Sequence, residues 1–190
     1  MLSSLFLIAQ VAVSQGAPFA LAPESKIWIE GDSSVHPWSC KATKFTAGIS
    51  ADPAAEQPAR SLALHIPVEA IECGSGLMNG NLRNALKAED YPTIEYKLIT
   101  ARRLPGDGVI LQTRGELSIA GHKRPVNITV DAAVNPDGSI YAIGKMPLKM
   151  SDFGVDPPSA MFGAIKTYDA LQVKFEIHTV PLPAAHASLP

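Results

Sequence analysis

The feature that most constrains the fold of this chain is a two-residue alternation of apolar and polar side chains in short segments. Between residues 61 and 68 every second side chain is a bulky apolar one, and the same holds from residue 171 to residue 177. Successive side chains of a β-strand point to opposite faces, so this pattern predicts strands with one buried and one wetted face. It excludes a doubly wound parallel sheet, whose strands are covered on both faces and are continuously apolar.

Turn-forming residues separate these segments. The stretches at 105–108 and 135–138 combine Pro, Asp and Gly, and residues 120–123 contain a further Gly. Such turns predict antiparallel hairpins between the flanking strands. We therefore predict an all-β sandwich or barrel of about eight antiparallel strands, in which closure into a barrel would remove the exposed edges. The predicted strands are 27–30, 35–45, 61–68, 94–102, 109–119, 124–134, 140–150 and 171–177.

One segment departs from the alternation. Residues 77–88 place Leu82, Ala85 and Leu86 at helical spacings among polar side chains, and a proline follows at position 92. This pattern predicts a short amphipathic helix. We expect it to cover one mouth of the barrel.

The amino terminus has the composition of a targeting segment. The first 23 residues carry no charged side chain, and residues 2–13 are mostly apolar. The pattern predicts a secretory signal peptide over residues 1–22, with cleavage after Ser14 or Gly16 chemically reasonable. An uncleaved membrane anchor is the alternative, but the apolar run is shorter than the roughly 18 to 20 residues that a spanning helix needs. We therefore expect a periplasmic or secreted barrel domain over residues 24–180 and a flexible tail over residues 181–190.

The chain contains two cysteines, Cys40 and Cys73. In an oxidising compartment, an even pair without a C-x-x-C motif favours a disulfide over a metal or redox site. Two buried free thiols are the alternative, because cysteine also packs as a small apolar residue.

The charge balance and the motifs exclude several classes of function. Sixteen Lys and Arg against 18 Asp and Glu give a formal net charge of −2 and no basic surplus for nucleic acid. The five histidines lack the spacing of a zinc site, and no nucleophile elbow, phosphate loop or dinucleotide fingerprint occurs. The sequence thus predicts neither an enzyme nor a metal or cofactor site.

Four stretches in register carry a family resemblance. Residues 33–38, 85–96, 115–126 and 151–155 together resemble the YceI-like, polyisoprenoid-binding lipid carriers across about 150 residues. The resemblance implies an exported, eight-stranded antiparallel lipocalin-like barrel whose apolar interior holds a long isoprenoid or other lipid chain. The His-Pro-Trp sequence in residues 36–38 and the cysteine pair are departures from the common pattern of the family.

The apolar side chains that point inward from the predicted strands and the helix are expected to form the wall of an apolar cavity. Medium-sized aliphatic and thioether side chains suit a flexible alkyl chain, because methionine adapts its shape. A flexible entrance is expected between the helix and a loop that contains Pro157, Pro158 and Gly163. The alternative is that these residues form an ordinary filled core. The predicted lining residues are Leu64, Ile66, Leu82, Leu86, Ile94, Tyr96, Leu98, Leu117, Met146, Leu148, Met150, Phe153, Met161, Phe162 and Phe175.

Three functions are therefore compared. The leading expectation is an exported carrier or store that sequesters a long apolar chain, binds lipid without catalysis and contacts a membrane transiently. The alternatives are a filled barrel that serves as an envelope structural or interaction module, and a quinone-handling redox accessory. Lys149, Lys166 and Arg83 are either solvated charges or contacts for an anionic head group at the rim. The oligomeric state is left open, with a homodimer as one option.

Overall fold

The computed structural model describes residues 16–160 and 164–183, and within them it forms an antiparallel β-barrel with one short α-helix. The strands are β1 (Ala17–Leu21), β2 (Lys26–Ser33), β3 (Trp38–Ala42), β4 (Thr46–Ala51), β5 (Ala59–Pro67), β6 (Ile71–Glu72), β7 (Thr93–Arg103), β8 (Val109–Ile119), β9 (His122–Val134), β10 (Ile140–Lys149), β11 (Ser159–Ala160) and β12 (Ile165–Pro181), and the helix is α1 (Gly76–Ala85).

In the described residues the barrel wall consists of eight long strands. Three of these are interrupted, and each of the three therefore consists of two shorter strands. Strand β1 continues into β2, β3 into β4, and β5 into β6 through a 3-10 turn at Val68–Ala70. Ile29 lies opposite Cys40, and Phe19 lies opposite Ile49. The two pairings therefore follow a single hairpin register to within one residue. Residues 17–51 therefore form one long hairpin with a bend in each arm, and the predicted eight-stranded barrel is confirmed.

Strand β12 closes the barrel. One of its edges pairs with β10 from Lys149↔Ala170 to Ile140↔Thr179, and its other edge pairs with β2 and then β1. Lys174 Nζ lies 2.7 Å from Glu30 Oε2 across this seam. The ammonium group, with the Trp28 indole N–H, holds the pKa of Glu30 below its usual value. Closure removes the free edges that an open sheet would present.

The three predicted hairpins occur. Strands β7, β8, β9 and β10 form a meander through turns at 104–108, 120–121 and 135–139. At one end of the barrel, here called the helix end, lie α1, the β2–β3 turn and the segment between β10 and β12. At the other end, here called the far end, lie the β4–β5, β7–β8 and β9–β10 connections.

Helix α1 is attached to the wall by polar contacts. The Ser75 hydroxyl caps its first turn by accepting from the Met78 N–H at 3.3 Å. The Cys73 N–H donates to Asn79 Oδ1 at 2.7 Å, and Arg83 Nε lies 3.0 Å from Glu69 Oε2. These contacts hold α1 against the segment that follows β5.

The predicted disulfide is present. Cys40 on β3 and Cys73 after β6 are both buried and are bonded to each other. The bond joins the β2–β3 sheet to the connection that enters α1, so it fixes the helix end of the barrel.

The structure corrects several predicted boundaries. The strand predicted over 35–45 is split, because the Ser33 hydroxyl accepts from the His36 N–H and donates to the His36 carbonyl in a tight turn before β3. Strand β4 was missed, since its small side chains alternate weakly. The helix ends at Ala85 rather than at 88, and Lys87 follows with a positive φ of 53°.

The barrel also extends beyond the predicted domain at its beginning. Strand β1 lies inside the segment assigned to the signal peptide, and Phe19 is buried against the seam opposite Pro181. The predicted apolar leader over residues 2–13 and most of the predicted tail, residues 184–190, lie outside the described residues. Export therefore stays a prediction.

The disulfide closes a loop with a sequence separation of 33 residues. In the chain-entropy model such a loop contributes roughly 3 to 4 kcal/mol to stability by restricting the unfolded chain. We predict that the double variant Cys40→Ala/Cys73→Ala has a free energy of unfolding lower by about that amount, as measured by urea denaturation. Added reductant should lower the stability of the wild type and leave that of the variant unchanged; equal stability of the two proteins without reductant would contradict this account.

Candidate functional site

The barrel encloses a cavity of about 650 Å³ that reaches from the helix end to the far end. Val35 and Ser159 line it at the helix end, and Ala51, Val109 and Val134 line it at the far end. A volume of about 300 to 1,000 Å³ is usual for small-molecule sites. The interior of this barrel is therefore open, and the filled core weighed from the sequence is not observed.

Glycines opposite or diagonal to aromatic residues on the neighbouring strand keep the cavity open. The rings of Tyr96 and Phe175 lie flat on the wall over Gly115 and Gly144, where an added Cβ would come within 2.3 Å of a ring atom. At the helix end the indole of Trp38 covers Gly31 in the same way, at 2.2 Å. Because each ring occupies the space of a missing side chain, these large residues line the cavity without blocking it.

The predicted lining residues come together. Fifteen residues were predicted, and the thirteen that lie in the described part of the chain all line this one cavity, while Met161 and Phe162 lie outside the described residues. The thirteen are Leu64, Ile66, Leu82, Leu86, Ile94, Tyr96, Leu98, Leu117, Met146, Leu148, Met150, Phe153 and Phe175. Their contact with a ligand stays a prediction.

Part of the cavity wall was not predicted from the sequence. Most of the residues that were not named lie on the predicted strands, on the same inward phase as the named ones. The cavity is also lined by Ile27, Ile29, Ile49, Leu62, Leu111, Ile128, Val130, Leu171, Val173 and Ile177. All of them except Ile49 lie within the predicted strands, so assigning the inward phase to every position of those strands would have found them.

The helix end forms the mouth of the cavity. Val35 in the β2–β3 turn is 61% exposed and Leu77 on α1 is 74% exposed, and both line the cavity. The polar side chains of His36, Asn81 and Lys149 line the same end. The mouth thus combines exposed apolar side chains with a few polar groups.

The three cations considered for an anionic head group occupy different surroundings. Lys149 lines the mouth and is the one permanently charged residue among the described lining residues. Arg83 pairs with Glu69 and Glu72 at 3.0 and 3.9 Å, which favours its structural role. The Lys166 backbone N–H donates to the Ser34 hydroxyl at 3.0 Å, and this residue does not line the cavity.

Tyr96 lines the cavity and buries its hydroxyl oxygen within the wall. Burial raises the pKa of Tyr96 above its usual value, and the adjacent Thr113 hydroxyl acts in the opposite direction. The phenol therefore stays protonated at neutral pH. The Thr113 hydroxyl itself donates to the Ile128 carbonyl at 3.0 Å.

The histidines occupy separate positions. His65 and His178 lie on the polar face of their strands, as predicted, where their Nδ1 atoms are 3.5 and 3.9 Å from Glu95 and Glu24. His122 Nδ1 faces the Ala120 carbonyl at 3.0 Å. Within residues 16–160 and 164–183, no group of three or more His, Cys, Asp or Glu side chains is arranged to hold a metal ion.

The fold and the site define a class: a closed antiparallel β-barrel around one elongated apolar cavity. The sequence profile of the YceI-like domain matches residues 22–179, so the chain belongs to the YceI-like family and the resemblance seen in the sequence is confirmed. A search of the curated proteins found no match. No helix in the described part of the chain is long and apolar enough to cross a membrane.

Solved structures share this fold. BcnA of Burkholderia cenocepacia superposes with a TM-score of 0.70 at 23% identity, over 82% of this chain and 96% of that one. A polyisoprenoid binding domain of Saccharophagus degradans, implicated in plant cell wall breakdown, gives 0.68 at 14% identity, over 87% and 99%. The YceI protein of Campylobacter jejuni gives 0.63 at 18%, over 76% and 85%.

The flat position of Phe175 depends on Gly144. We predict that Gly144→Ala turns the ring into the lumen, reduces the cavity volume and weakens the binding of an apolar fluorescent dye about tenfold, or about 1.4 kcal/mol. A crystal structure and a dye titration measure the two effects. Gly48→Ala is the control, since an added Cβ at that exposed position has no neighbour within 4 Å among the described residues. A ring still flat on the wall, with unchanged dye affinity, would refute the role of Gly144.

Proposed function

We propose that this protein binds one long apolar chain inside its barrel, without a covalent step. The observation that carries the proposal is the continuous apolar cavity of about 650 Å³ from the helix end to the far end. Burying each methylene group of a ligand in such a cavity contributes about 0.8 kcal/mol. A chain of many methylene or prenyl units therefore binds well without a charged anchor.

The wall suits a flexible ligand. Met146 and Met150 are buried lining residues with three rotatable bonds, and Leu98, Leu148 and Leu171 add branched aliphatic surface. Thioether side chains adapt to an irregular or mobile chain. This composition supports a lipid tail in preference to a rigid polar metabolite.

An isoprenoid is the ligand class that we favour. Membership of the YceI-like family and the structural likeness to the Saccharophagus degradans polyisoprenoid binding domain support it. Because the cavity wall is mostly aliphatic, a related acyl lipid is compatible with the same physical argument.

We infer that the ligand is exchanged at the mouth on the helix end. The exposed side chains of Val35 and Leu77 give an apolar rim that lowers the cost of moving a lipid tail from a membrane into the lumen. Such exchange makes the protein a carrier or a store in contact with membranes. The Cys40–Cys73 disulfide and the apolar leader support export to the periplasm or the exterior.

A charge placed in the lumen tests the proposal. We predict that Leu98→Asp lowers the retention of a long-chain prenyl alcohol at least about tenfold, because burying a carboxylate in an apolar site is costly. Retention is measured by gel filtration, organic extraction and mass analysis. Met146→Lys should have the same effect from the opposite wall.

The neighbouring residue provides the matched control. Ile99 is 59% exposed and does not line the cavity, so Ile99→Asp should retain the lipid like the wild type. Circular dichroism first establishes which variants fold. Folded Leu98→Asp and Met146→Lys proteins that retain the lipid as the wild type does would exclude this lumen as the binding site.

A further inference from the structure

The β2–β3 turn places a histidine at the mouth of the cavity. His36 lines the cavity and is exposed, so the residue is accessible at the mouth. Its Nδ1 atom lies 2.9 Å from the Pro37 carbonyl oxygen. Because a carbonyl group only accepts hydrogen bonds, Nδ1 carries the proton in this contact. The lone pair of a neutral His36 ring is therefore on Nε2.

The Nε2 atom of His36 is available to a ligand. It makes no hydrogen bond or ion pair with the residues that the structure describes. The histidines on the polar faces of β5 and β12 differ in this respect, since His65 and His178 each lie near a glutamate. His36 thus offers a hydrogen-bond acceptor at the entrance to a binding cavity.

Hydrogen bonds of the turn fix the position of this acceptor. The Ser33 hydroxyl accepts from the His36 N–H at 3.2 Å and donates to the His36 carbonyl at 2.7 Å. The Ser34 N–H donates to the Lys166 carbonyl at 2.9 Å, and the Lys166 N–H donates to the Ser34 hydroxyl at 3.0 Å. These bonds attach the turn to β12. The backbone at position 36 is therefore ordered before a ligand binds, which lowers the entropic cost of recognition.

The surroundings determine which head group fits. The described lining contains no aspartate or glutamate, and Lys149 is its one permanently charged residue. Lys149 is close enough to Asp169 to contribute, after the Ser151 hydrogen bonds, to the lowered pKa of that carboxyl group. Because this carboxylate already balances the Lys149 charge, an anionic head group would lack a free counter-ion. A neutral hydroxyl group needs no counter-ion and can donate to Nε2.

We propose that His36 Nε2 accepts a hydrogen bond from the terminal hydroxyl group of a long apolar alcohol whose chain lies in the lumen. The inference rests on the proposed function, because the chain occupies the same cavity. It goes further by naming the head group and a specificity-determining residue at the mouth. His36 belongs to the His-Pro-Trp sequence that departs from the common pattern of the family, so we expect the preference to be particular to this chain.

Two probes of equal chain length test the inference: a long-chain prenyl alcohol and its methyl ether, which cannot donate a hydrogen bond. Each competes with an apolar fluorescent dye in mildly alkaline buffer, in which imidazole groups are neutral. Wild-type protein should bind the alcohol about three- to tenfold more tightly than the ether, which is the range of one hydrogen bond. His36→Phe should remove that preference and leave the affinity for the ether unchanged.

Two further variants serve as controls. A glutamine side-chain oxygen can accept at nearly the position of Nε2, so His36→Gln should still prefer the alcohol. His65 does not line the cavity, so His65→Phe should bind both probes as the wild type does.

The outcomes separate this inference from the proposed function. Equal binding of alcohol and ether by the wild type, or an unchanged preference in His36→Phe, would overturn the inference while the proposed function stands. Weaker binding of both probes by a folded His36→Phe protein would show a structural role and would also overturn it. Binding of neither probe by the wild type would overturn the proposed function as well.

Discussion

The rest of this structure depends on the closure of the sheet by β12. Its 17 residues pair with β10 on one edge and with β2 and β1 on the other, so the alternating side chains of every wall strand acquire a fixed inside and outside. Eight strands give a barrel of the size at which the interior is either filled by side chains or open for one ligand. Closure of the sheet thus creates the lumen, but it does not determine whether side chains fill that lumen.

Glycine–aromatic pairs on neighbouring strands determine whether the lumen stays open. Where Gly115 and Gly144 stand opposite or beside an aromatic residue, the ring folds down over the backbone and the centre of the barrel stays free. The same arrangement places the Tyr96 ring flat over Gly115 and buries its hydroxyl oxygen within the wall. The openness of the cavity therefore depends on these glycine–aromatic pairs.

Sequence periodicity predicted the parts of the fold that depend on local pattern. It predicted about eight antiparallel strands, the hairpins around 105–108 and 135–138 and many inward residues, while the cysteine pair predicted the disulfide and the family resemblance predicted the eight-stranded barrel. It could not predict which residues face each other across distant strands, such as Gly144 and Phe175, which depend on the closed register. It missed β4 because alanine and glycine alternate too weakly, and the apolar composition of the amino terminus hid β1. An open lumen follows from the registers, so alternation alone left a filled core as an alternative.

Native mass spectrometry of the full chain, purified without detergent, tests the central claim most directly, with mass analysis of the organic extract from the same sample. The account predicts a complex of one polypeptide with one long apolar molecule, released into the organic phase on denaturation. A mass equal to the polypeptide alone, unchanged after incubation with vesicles that contain a prenyl alcohol, would contradict the account.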